Sequence, residues 1–492
     1  MNKSSAKIII KSILKIVLIL VFIIYLSPIA LQNDTFFDIK LGEQYLTNGI
    51  NTNDIYSIHG GLKYISHHFM VNIITYLTYD LGGFNALYIL VIGLALLFTF
   101  LMYRLNRTFI KSKTIAYLFL FIEMFCFREY LCVRAQMYSF IIFALEILLL
   151  ENFIKKGSKK YIVLLTVLPM VLANFHAGTI PYYFLIIIAY LTGMLKFNFQ
   201  RIEYDSSIVK RLKLLFIPLI IGVFVTFINP FFIDGVTYAF KTVGNSFISN
   251  NIREFAPFKI TTSFGMYAFM YYSIFIFSLI LTDKKIKLNY FILFSGTFLM
   301  SLTAIRYYSL FVIVSVVLLP HVEELIMKIK NTVLSGIKED KKVYIKYYLI
   351  LVYLILIIML AAHSQKDKAM TAIPLSDYPV NAVQYIRQNI PSDAKIFNEY
   401  SWGSYMMLND IKVFIDSRCD LYTEEYNPQT NVAFDYIDAI NCVKNYNEIM
   451  DKYDIDYIFV NKNSALAKNC LDDSNKVKIY EDNISVIIKI NK

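Results

Sequence analysis

The sequence predicts an α-helical, multi-pass membrane protein that carries a small α/β domain at its C-terminus. Of its 492 residues, 57% are hydrophobic and 16% are aromatic, a composition that soluble domains do not have. Apolar runs of about 18 residues recur, which is the length that crosses the ~30 Å hydrocarbon core of a bilayer. After residue 364 the apolar stretches are shorter and alternate between helix-like and strand-like periods.

The membrane part is predicted to contain about eleven spans, each a run of apolar residues with few charges. In chain order these runs are residues 13–31, 85–103, 114–127, 137–154, 161–174, 179–195, 212–229, 264–282, 288–304, 307–326 and 347–363. No small-residue cleavage signal follows the first span, so we expect it to be retained in the membrane.

Basic residues predict the orientation of these spans. Every second connection is rich in lysine and arginine, as in the segments 104–113, 155–160 and 328–346. Cytoplasmic connections carry such an excess, so we expect a cytoplasmic N-terminus and an extracytoplasmic C-terminus in the plasma membrane.

Three regions are therefore expected on the extracytoplasmic side. They are the loops at 32–84 and 230–263, which interrupt a transmembrane domain at 1–363, and a C-terminal domain at 364–492. The whole chain has a net charge of +11, yet the C-terminal domain is net acidic. The positive charge lies in the membrane part, where it records orientation, so the partner it indicates is the lipid bilayer and no nucleic acid is expected.

The first of these loops begins with a predicted helix that carries carboxylates. Its segment "NDTFFDIKLGEQYLTNG" offers Asn33 or Asp34 as the N-cap. Asp34 and Asp38 are four residues apart, so a helix places them on one face with Cβ atoms about 5–6 Å apart. An adjacent apolar stripe suits a helix lying on the membrane surface: Phe37, Leu41 and Tyr45.

The same loop continues with a predicted hairpin that leads to two histidines. The residues "DIYSIHGGLKYISHH" form two short strands around Gly60-Gly61, with His67 and His68 before the next helix. In one interpretation Asp34 only caps a helix and the histidines are solvated surface residues. In the other, the acids and histidines together form a site at the mouth of the helical bundle, and their grouping favours this second interpretation.

Three arginines lie on the expected outer side, at or inside the membrane edge: Arg134, Arg253 and Arg306. Arginine is costly at that depth unless it is paired, so each is a candidate for function, and snorkelling toward the headgroups is the alternative. Together they could hold a lipid phosphate through bidentate hydrogen bonds. His176 could donate to the same phosphate or be a structural turn residue. Glu254 could contact substrate or only pair with Arg253.

The C-terminal domain is predicted to be α/β. "DYPVNAVQYIRQNI" is an amphipathic helix, "KVFIDSR" a short strand, "YNEIMDKYDIDYIFVN" a helix running into a strand, and "KVKIY" and "SVIIKI" are two further strands. Its most distinctive residues are Trp402, Asp416 and Arg418. Because Asp416 and Arg418 are two apart, a strand would point them to one face, either as a structural ion pair or as a contact to an acceptor.

The order of several short motifs resembles that of a known superfamily. An Asp just after the first span is followed by a "GEQYL" helix, an "NDIYS" turn and a His-containing segment. Further motifs follow in order: "VRAQ" at 133–136, "NFHAG" at 174–178, "NPFFIDG" at 229–235, "IREFAPF" at 252–258 and "YSWGSYMMLNDIKVFIDSR" at 400–418. Across nearly the whole chain they resemble the GT-C superfamily of polytopic glycosyltransferases, in particular bacterial members with a C-terminal extracytoplasmic domain.

The resemblance implies a glycosyltransferase that acts at the outer face of the membrane. Its donor would be a sugar on a polyprenyl phosphate, and a hexosyl or pentosyl group would pass with inversion to a cell-envelope glycan, lipid or protein. An acidic residue of the first outer loop would be the catalytic base, a role that maps onto Asp34, with Asp38 as helper or alternative base. No cofactor is firmly implied, although Asp34 and Asp38 could hold a divalent metal ion.

The chain departs from the superfamily pattern at three places. It has His67, His68 and Phe69 where relatives have His-Glu-Trp, and Phe255 where Trp is usual. Its "SWGSY" at 401–405 lacks the second Trp and the Asp of the "WWDYG" peptide-recognition motif of oligosaccharyltransferases. A peptide-sequon acceptor is therefore not supported by the sequence.

Two other functions are the alternatives. A transporter or flippase of lipid-linked sugars would place paired ionisable residues near the middle of the membrane. Here acids, histidines and arginines concentrate at the outer face instead, which favours chemistry there. A non-catalytic envelope assembly protein, whose tail binds partners, would keep the same architecture without the activity.

Overall fold

The fold is that of a computed structural model, which describes residues 3–242, 245–334, 371–428 and 430–491. Contacts between Cα atoms divide the chain into two compact units. Unit 1 consists of Met1–Pro28, Ile89–Asn229 and Arg253–Lys368. Unit 2 consists of Ile29–Tyr88, Pro230–Ile252 and Ala369–Lys492. The contacts thus group parts of both expected outer loops with the C-terminal region.

Most of the described residues are helical. The α-helices in these ranges, α1 to α20, are Lys3–Leu26, Asn33–Thr47, Phe69–Phe109, Lys113–Cys126, Ala135–Lys156, Lys159–His176, Ile180–Leu191, Val209–Leu212, Phe216–Val225, Phe232–Thr242, Ser246–Asn251, Ser263–Leu281, Leu288–Thr303, Tyr308–Val314, Leu319–Leu334, Val380–Asn389, Gly403–Leu408, Val432–Ile440, Tyr446–Lys452 and Ala465–Leu471. Helix α3 is interrupted at Gly82 and Gly83, and Gly83 has the positive φ of +61° that favours glycine.

The strands form two sheets, one in each unit. In chain order, β1 to β6 are Ile202–Glu203, Ile286–Lys287, Ile396–Asn398, Tyr457–Asn461, Lys476–Glu481 and Ser485–Ile490. In unit 1, β1 and β2 form a short parallel pair. In unit 2 the strand order is β3-β4-β6-β5, in which β3 and β4 are parallel and the other neighbours antiparallel.

Unit 1 has an apolar core and an apolar exterior. Aromatic and aliphatic side chains such as Phe98, Phe153 and Phe311 are fully buried between its helices. At the same time, large apolar side chains such as Ile16 on α1 and Phe224 on α9 are exposed. Helices that are hydrophobic all round are typical of membrane spans, because lipid replaces water around them.

Several of the described helical segments can cross a membrane by length and composition. Five are long enough: Phe69–Phe109, Ala135–Lys156, Lys159–Met194, Ser263–Leu281 and Ile305–Thr332. Two shorter apolar helices accompany them, Ile13–Leu26 and Leu288–Thr303. These segments make the chain a multi-pass membrane protein.

The described residues do not establish the expected eleven spans. The runs 114–127 and 212–229 correspond to α4 and α9, which have only 14 and 10 residues. The runs 161–174 and 179–195 lie in one 36-residue apolar segment. The run 347–363 lies outside the described residues.

The secondary structure of the C-terminal region confirms most of its predicted elements. The amphipathic helix is α16, the helix-to-strand segment is α19 and β4, and the last two strands are β5 and β6. The strand predicted at 412–418 is wrong. There only Val413 forms a β-bridge, with Ser57, so this segment is extended without belonging to a sheet.

Helix α2 differs from its prediction at both its start and its apolar face. It begins at Asn33 with Gln32 in the N-cap position, so neither Asn33 nor Asp34 is the cap. The stripe of Phe37, Leu41 and Tyr45 is buried in unit 2, where α2 packs on α17, instead of lying on a membrane surface. The predicted hairpin is confirmed by the antiparallel bridge between Asn53 and Lys63.

Candidate active site: a carboxylate cluster and an arginine cavity

Unit 2 holds a group of polar side chains that we call the carboxylate cluster: Asp34, Asp38, His68, Asn72 and Asp420. Asp34 lies half-buried in the first turn of α2, where the helix dipole favours a negative charge. Burial raises the pKa of Tyr400 and of Cys419, and the charge of Asp34 adds to the rise in both. Its neighbour Asn33 donates a hydrogen bond of 3.3 Å from Nδ2 to the carbonyl of Tyr400. The start of α2 therefore faces the C-terminal segment.

Asp38 is the buried member of the pair. Its exposed fraction is 1%, and its Oδ1 accepts hydrogen bonds from His68 Nε2 at 2.8 Å and from Asn72 Nδ2 at 2.6 Å. Gly42 permits this arrangement, since a Cβ there would lie 2.2 Å from the carbonyl oxygen of Asn72. Asp38 therefore orients His68 and is shielded from contact with a substrate.

Aromatic rings link the histidines to Asp420. The ring of His67 stacks on Tyr238 with 4.1 Å between centroids, and it meets His68 edge-on at 4.2 Å. Tyr238, from α10, hydrogen-bonds Asp420. Burial raises the pKa of Asp420 to about 6, although the hydrogen bond from Tyr238 and the charges of His68 and Arg418 favour its ionised form. Asp420 thus titrates close to neutrality.

Arg418 forms a buried ion-pair network beside the cluster. Its guanidinium donates to Asp416 at 2.6 and 2.9 Å and to Asp54, in the predicted "NDIYS" turn, at 2.7 Å. The Tyr422 hydroxyl completes the network with a 2.7 Å hydrogen bond to Asp416. None of the three charged side chains is exposed beyond 1%. The contacts favour the structural ion pair over a contact to an acceptor.

Trp402 lies in the core of the C-terminal segment. It is 3% exposed, its Nε1 donates to the carbonyl of Asp377 at 3.0 Å, and its ring packs on Phe459. The next residue must be glycine, because a Cβ at Gly403 would lie 2.1 Å from the carbonyl oxygen of Ile415. The "SWGSY" segment therefore has a packing role in unit 2.

Unit 1 holds a second polar site, which we call the arginine cavity. It is a cavity of about 40 Å³ lined by His176, Tyr182, Glu254 and Arg306 among others. Ser139 also lines the cavity, and its Oγ lies 2.7 Å from His176 Nδ1. The ring nitrogen of His176 is thus fixed by a hydroxyl of α5.

Two arginines act on Glu254, whose carboxylate lines this cavity. Burial favours the neutral form of Glu254, but the charge and hydrogen bond of Arg134 and the charge of Arg306 outweigh it and hold the pKa of Glu254 below its usual value. Arg306 stacks on the ring of Phe255 at 4.3 Å. Glu254 therefore pairs with Arg134 and not, as the sequence suggested, with Arg253. Arg253 is exposed and does not line the cavity.

Solved structures of an archaeal oligosaccharyltransferase are similar to this chain in fold. The Archaeoglobus fulgidus oligosaccharyltransferase tethered to an acceptor peptide with the NVT sequon matches with a TM-score of 0.59 at 12% identity, covering 90% of this chain and 68% of that one. AglB from the same organism, in complex with an inhibitory peptide and a dolichol-phosphate, gives 0.60 at 12% with the same coverage. The form in complex with Zn and sulfate gives 0.58 at 12%, covering 90% and 67%.

This chain has the GT-C fold. The resemblance of its motifs is thereby confirmed at the level of the fold. No family model matches the sequence, and no curated protein matches it either.

The carboxylates of this GT-C chain do not fit a divalent metal ion. Among the described residues, no three or more His, Cys, Asp or Glu side chains are grouped so that they could hold one. Asp38, which with Asp34 could have supplied such a site, has its Oδ1 occupied by two hydrogen bonds.

Four residues at or beside the carboxylate cluster were not among the predicted site residues: Asp54, Asn72, Tyr238 and Asp420. Asn72 follows His68 by one helical turn, and Asp420 follows Arg418 by two residues, so spacing could have pointed to both. Nothing in the sequence connects Tyr238 to Asp420, since that contact exists only in the folded chain.

Proposed function

We propose that this protein transfers a sugar from a polyprenyl-phosphate-linked donor to an extracytoplasmic acceptor, which is a glycan, a lipid or a protein. The observation that carries the proposal is the GT-C fold over 90% of the chain, shared with an enzyme solved with a dolichol-phosphate. The N-terminus would be cytoplasmic, and unit 2 would face the outside.

Asp34 is our candidate for the catalytic base. It is half-buried at the start of α2, whereas Asp38 is 1% exposed and bonded to His68 and Asn72. In the reaction, the acceptor oxygen bonds to the anomeric carbon while its proton passes to the Asp34 carboxylate. The bond from the anomeric carbon to the phosphate oxygen breaks, and its electron pair leaves with the phosphate. Attack from the opposite face gives inversion. Asp38 supports this site by orienting His68.

The arginine cavity is our candidate for holding the donor phosphate. Arg306 lines the cavity, and the charges of Arg134 and Arg306 both act on Glu254, which lines it too, so cationic groups lie at this cavity. A leaving phosphate needs little proton donation, but it is stabilised by fixed cations and hydrogen-bond donors. His176, held by Ser139, is a further donor to such a group.

The acceptor class is broader than a sequon peptide. The Archaeoglobus fulgidus oligosaccharyltransferase was solved with an acceptor peptide containing the NVT sequon tethered to it by a disulfide bond. In this chain the indole of Trp402 is buried and donates to the Asp377 carbonyl, so it offers no surface to a peptide. A hydroxyl of a glycan, a lipid or a serine-containing protein fits the base chemistry of Asp34 equally well.

Purification in mild detergent followed by mass spectrometry of co-purifying lipids tests this function directly. We expect a polyprenyl phosphate that carries one sugar, and Asp34→Asn should retain this lipid. Addition of a cell-envelope extract should release the sugar from the lipid with the native protein but not with the variant. No lipid-linked sugar in any preparation, or equal release by both proteins, would overturn the proposal.

A flippase of lipid-linked sugars is the second candidate because of three carboxylates within the spans. Glu123 on α4 and Glu146 and Glu151 on α5 are all buried. Transporters use such residues near the bilayer midplane. In proteoliposomes that contain a fluorescent polyprenyl-phosphate sugar, a flippase would expose the label on both leaflets, whereas the proposed transferase leaves it on one.

A further inference from the structure

Asp420 lies in unit 2 near residues of the first loop and of helix α10. It is 6% exposed and follows the Arg418 network in a short 3₁₀ turn at Cys419–Tyr422. The Thr423 hydroxyl fixes this turn by donating to the Asp420 carbonyl at 3.0 Å. The side chain accepts a hydrogen bond from Tyr238 of α10. Asp420 is not among the site residues that the sequence analysis predicted.

Two side chains of the first loop lie near Asp420, and each has an unused hydrogen-bonding atom. Tyr64 is 4% exposed and His68 is 5% exposed. The Tyr64 hydroxyl and His68 Nδ1 are buried and have no hydrogen-bond partner among the residues that the structure describes. The charge of Asp420 adds to the rise that burial causes in the Tyr64 pKa, and His68 acts in turn on Asp420, so the three groups share one neighbourhood.

Unused buried polar atoms are rare in folded proteins. Each costs about 1–3 kcal/mol when its hydrogen bond is not made, so two such atoms near one carboxylate need an explanation. Separate contacts hold each of these two side chains in place. His68 is held through Nε2 by Asp38, and the ring of Tyr64 packs against Phe37 and under the Arg418 guanidinium at 5.3 Å.

We propose that Asp420, Tyr64 and His68 form a subsite for a hydroxyl-rich ligand, a sugar unit of the acceptor. The inference rests on the proposed function and names the part of the acceptor that unit 2 recognises. A sugar hydroxyl donates to the Asp420 carboxylate and accepts from the Tyr64 hydroxyl, while a second hydroxyl forms a hydrogen bond with His68 Nδ1.

The charges of the neighbourhood select a neutral ligand. The charges of Asp34, Asp416 and Asp420 all act on Cys419, and the neighbouring Arg418 is already paired with Asp54 and Asp416, so these acids would repel a phosphate. The described residues do not group into a metal site, so a bound cation does not explain the acids. A polyol combines donors and acceptors without net charge, as the three groups require.

The test uses the full-length protein in lipid nanodiscs and three probes: the methyl glycosides of glucose, galactose and mannose. Saturation-transfer NMR should detect binding of at least one of them to the native protein. Asp420→Asn should weaken it by roughly 10-fold or more, because a hydrogen bond to a charged group is lost. Tyr64→Phe should weaken it about 2- to 10-fold, as for a neutral hydrogen bond.

The stability of Tyr64→Phe separates a binding role from a structural one. If the hydroxyl serves a ligand, its removal leaves the thermal midpoint of the free protein unchanged or raised. Tyr426→Phe is the matched control, because its hydroxyl bonds the Tyr238 carbonyl and should not affect glycoside binding. The subsite is wrong if the native protein binds no glycoside, or if Asp420→Asn and Tyr64→Phe both bind a glycoside as tightly as the native protein does. Lipid-linked sugar that still co-purifies would show that the transferase proposal stands apart from this result.

Discussion

Two arginine sites in this protein, one in each unit, differ in the carboxylates that surround them. In unit 2, Arg418 faces two carboxylates, Asp54 and Asp416, and the whole network is excluded from water. In unit 1, Arg134 and Arg306 share one carboxylate, Glu254, and the Arg134 side chain is 22% exposed. Arg418 is neutralised by its two buried carboxylates, whereas Arg306 lines a cavity.

The difference teaches how a structural arginine is told from a binding one. A buried pair contributes little net stability, but removal of one partner leaves charge uncompensated in a medium that solvates it poorly. An arginine with spare charge at an accessible cavity costs the fold less when lost, and it remains available to an anion. The position of an arginine in a motif does not reveal which of the two it is.

The largest effect should come from Arg418→Ala. It leaves Asp54 and Asp416 buried without their cation, which should cost about 3–5 kcal/mol of unfolding free energy. Urea unfolding followed by the fluorescence of Trp402, the single tryptophan, measures it.

Lys395→Ala is the control for Arg418→Ala, because its ion pair with Asp454 is exposed. It should change the free energy of unfolding by less than about 1 kcal/mol. Equal effects of the two substitutions would contradict the distinction between buried and exposed charge.

The next effect is the pH dependence that Asp420 confers. Its folded-state pKa of about 6 lies above the ordinary 3.8, so the protonated form favours folding. Asp420 should therefore contribute its full stabilisation, measured relative to Asp420→Asn, below about pH 4. This contribution should be lost as the pH rises through about 6. A shift of about two pH units corresponds to roughly 3 kcal/mol at most.

Thermal midpoints of the native protein and Asp420→Asn, compared from pH 4 to 8, give this difference. Other groups titrate in both proteins and cancel. If the difference does not change with pH, Asp420 keeps its ordinary pKa in the folded protein, and burial does not raise that pKa.

Local patterns in the sequence predicted much of the fold. Apolar runs predicted most helices of unit 1, and turn residues predicted the hairpin before His67. The strand expected at 412–418 failed because Val413 pairs only with Ser57, more than 350 residues away, and no second strand continues the ladder. Strand-like composition does not provide a partner strand.

The sequence analysis named several residues of the candidate sites, but it did not predict which side chains contact each other. Asp38 was recognised as an acid, yet its burial depends on His68 and Asn72 approaching from another element. The partner of Glu254 was assigned to its sequence neighbour, whereas the fold brings Arg134 from 120 residues away. Such contacts follow from tertiary packing, which no local pattern contains.

Asp34→Asn sharpens the contrast between the two acids of α2. It removes the proposed base but preserves the shape of the side chain, so sugar transfer should fall by at least about 10²-fold, the low end for a general base. Folding and the amount of co-purified donor should be retained.

Asp38→Asn should behave differently from Asp34→Asn, because it breaks a buried contact to His68. We expect a smaller loss of transfer accompanied by a lower thermal midpoint. If both substitutions leave transfer intact, the carboxylates have no catalytic role.

The smallest effect should separate Arg306 from Arg253 at the donor phosphate. Arg306→Ala removes a cation that lines the arginine cavity, and it should weaken binding of undecaprenyl phosphate by about 1.5–3 kcal/mol, the range for charged hydrogen bonds. Arg253 is exposed outside that lining, so Arg253→Ala should weaken binding less, although the sequence alone placed both at the phosphate. Native mass spectrometry of detergent-solubilised protein measures both affinities, and thermal midpoints close to the native value confirm that the fold is kept. Unchanged affinity in both variants would assign the two arginines to interactions with headgroups. A larger loss for Arg253→Ala would place the phosphate outside the cavity.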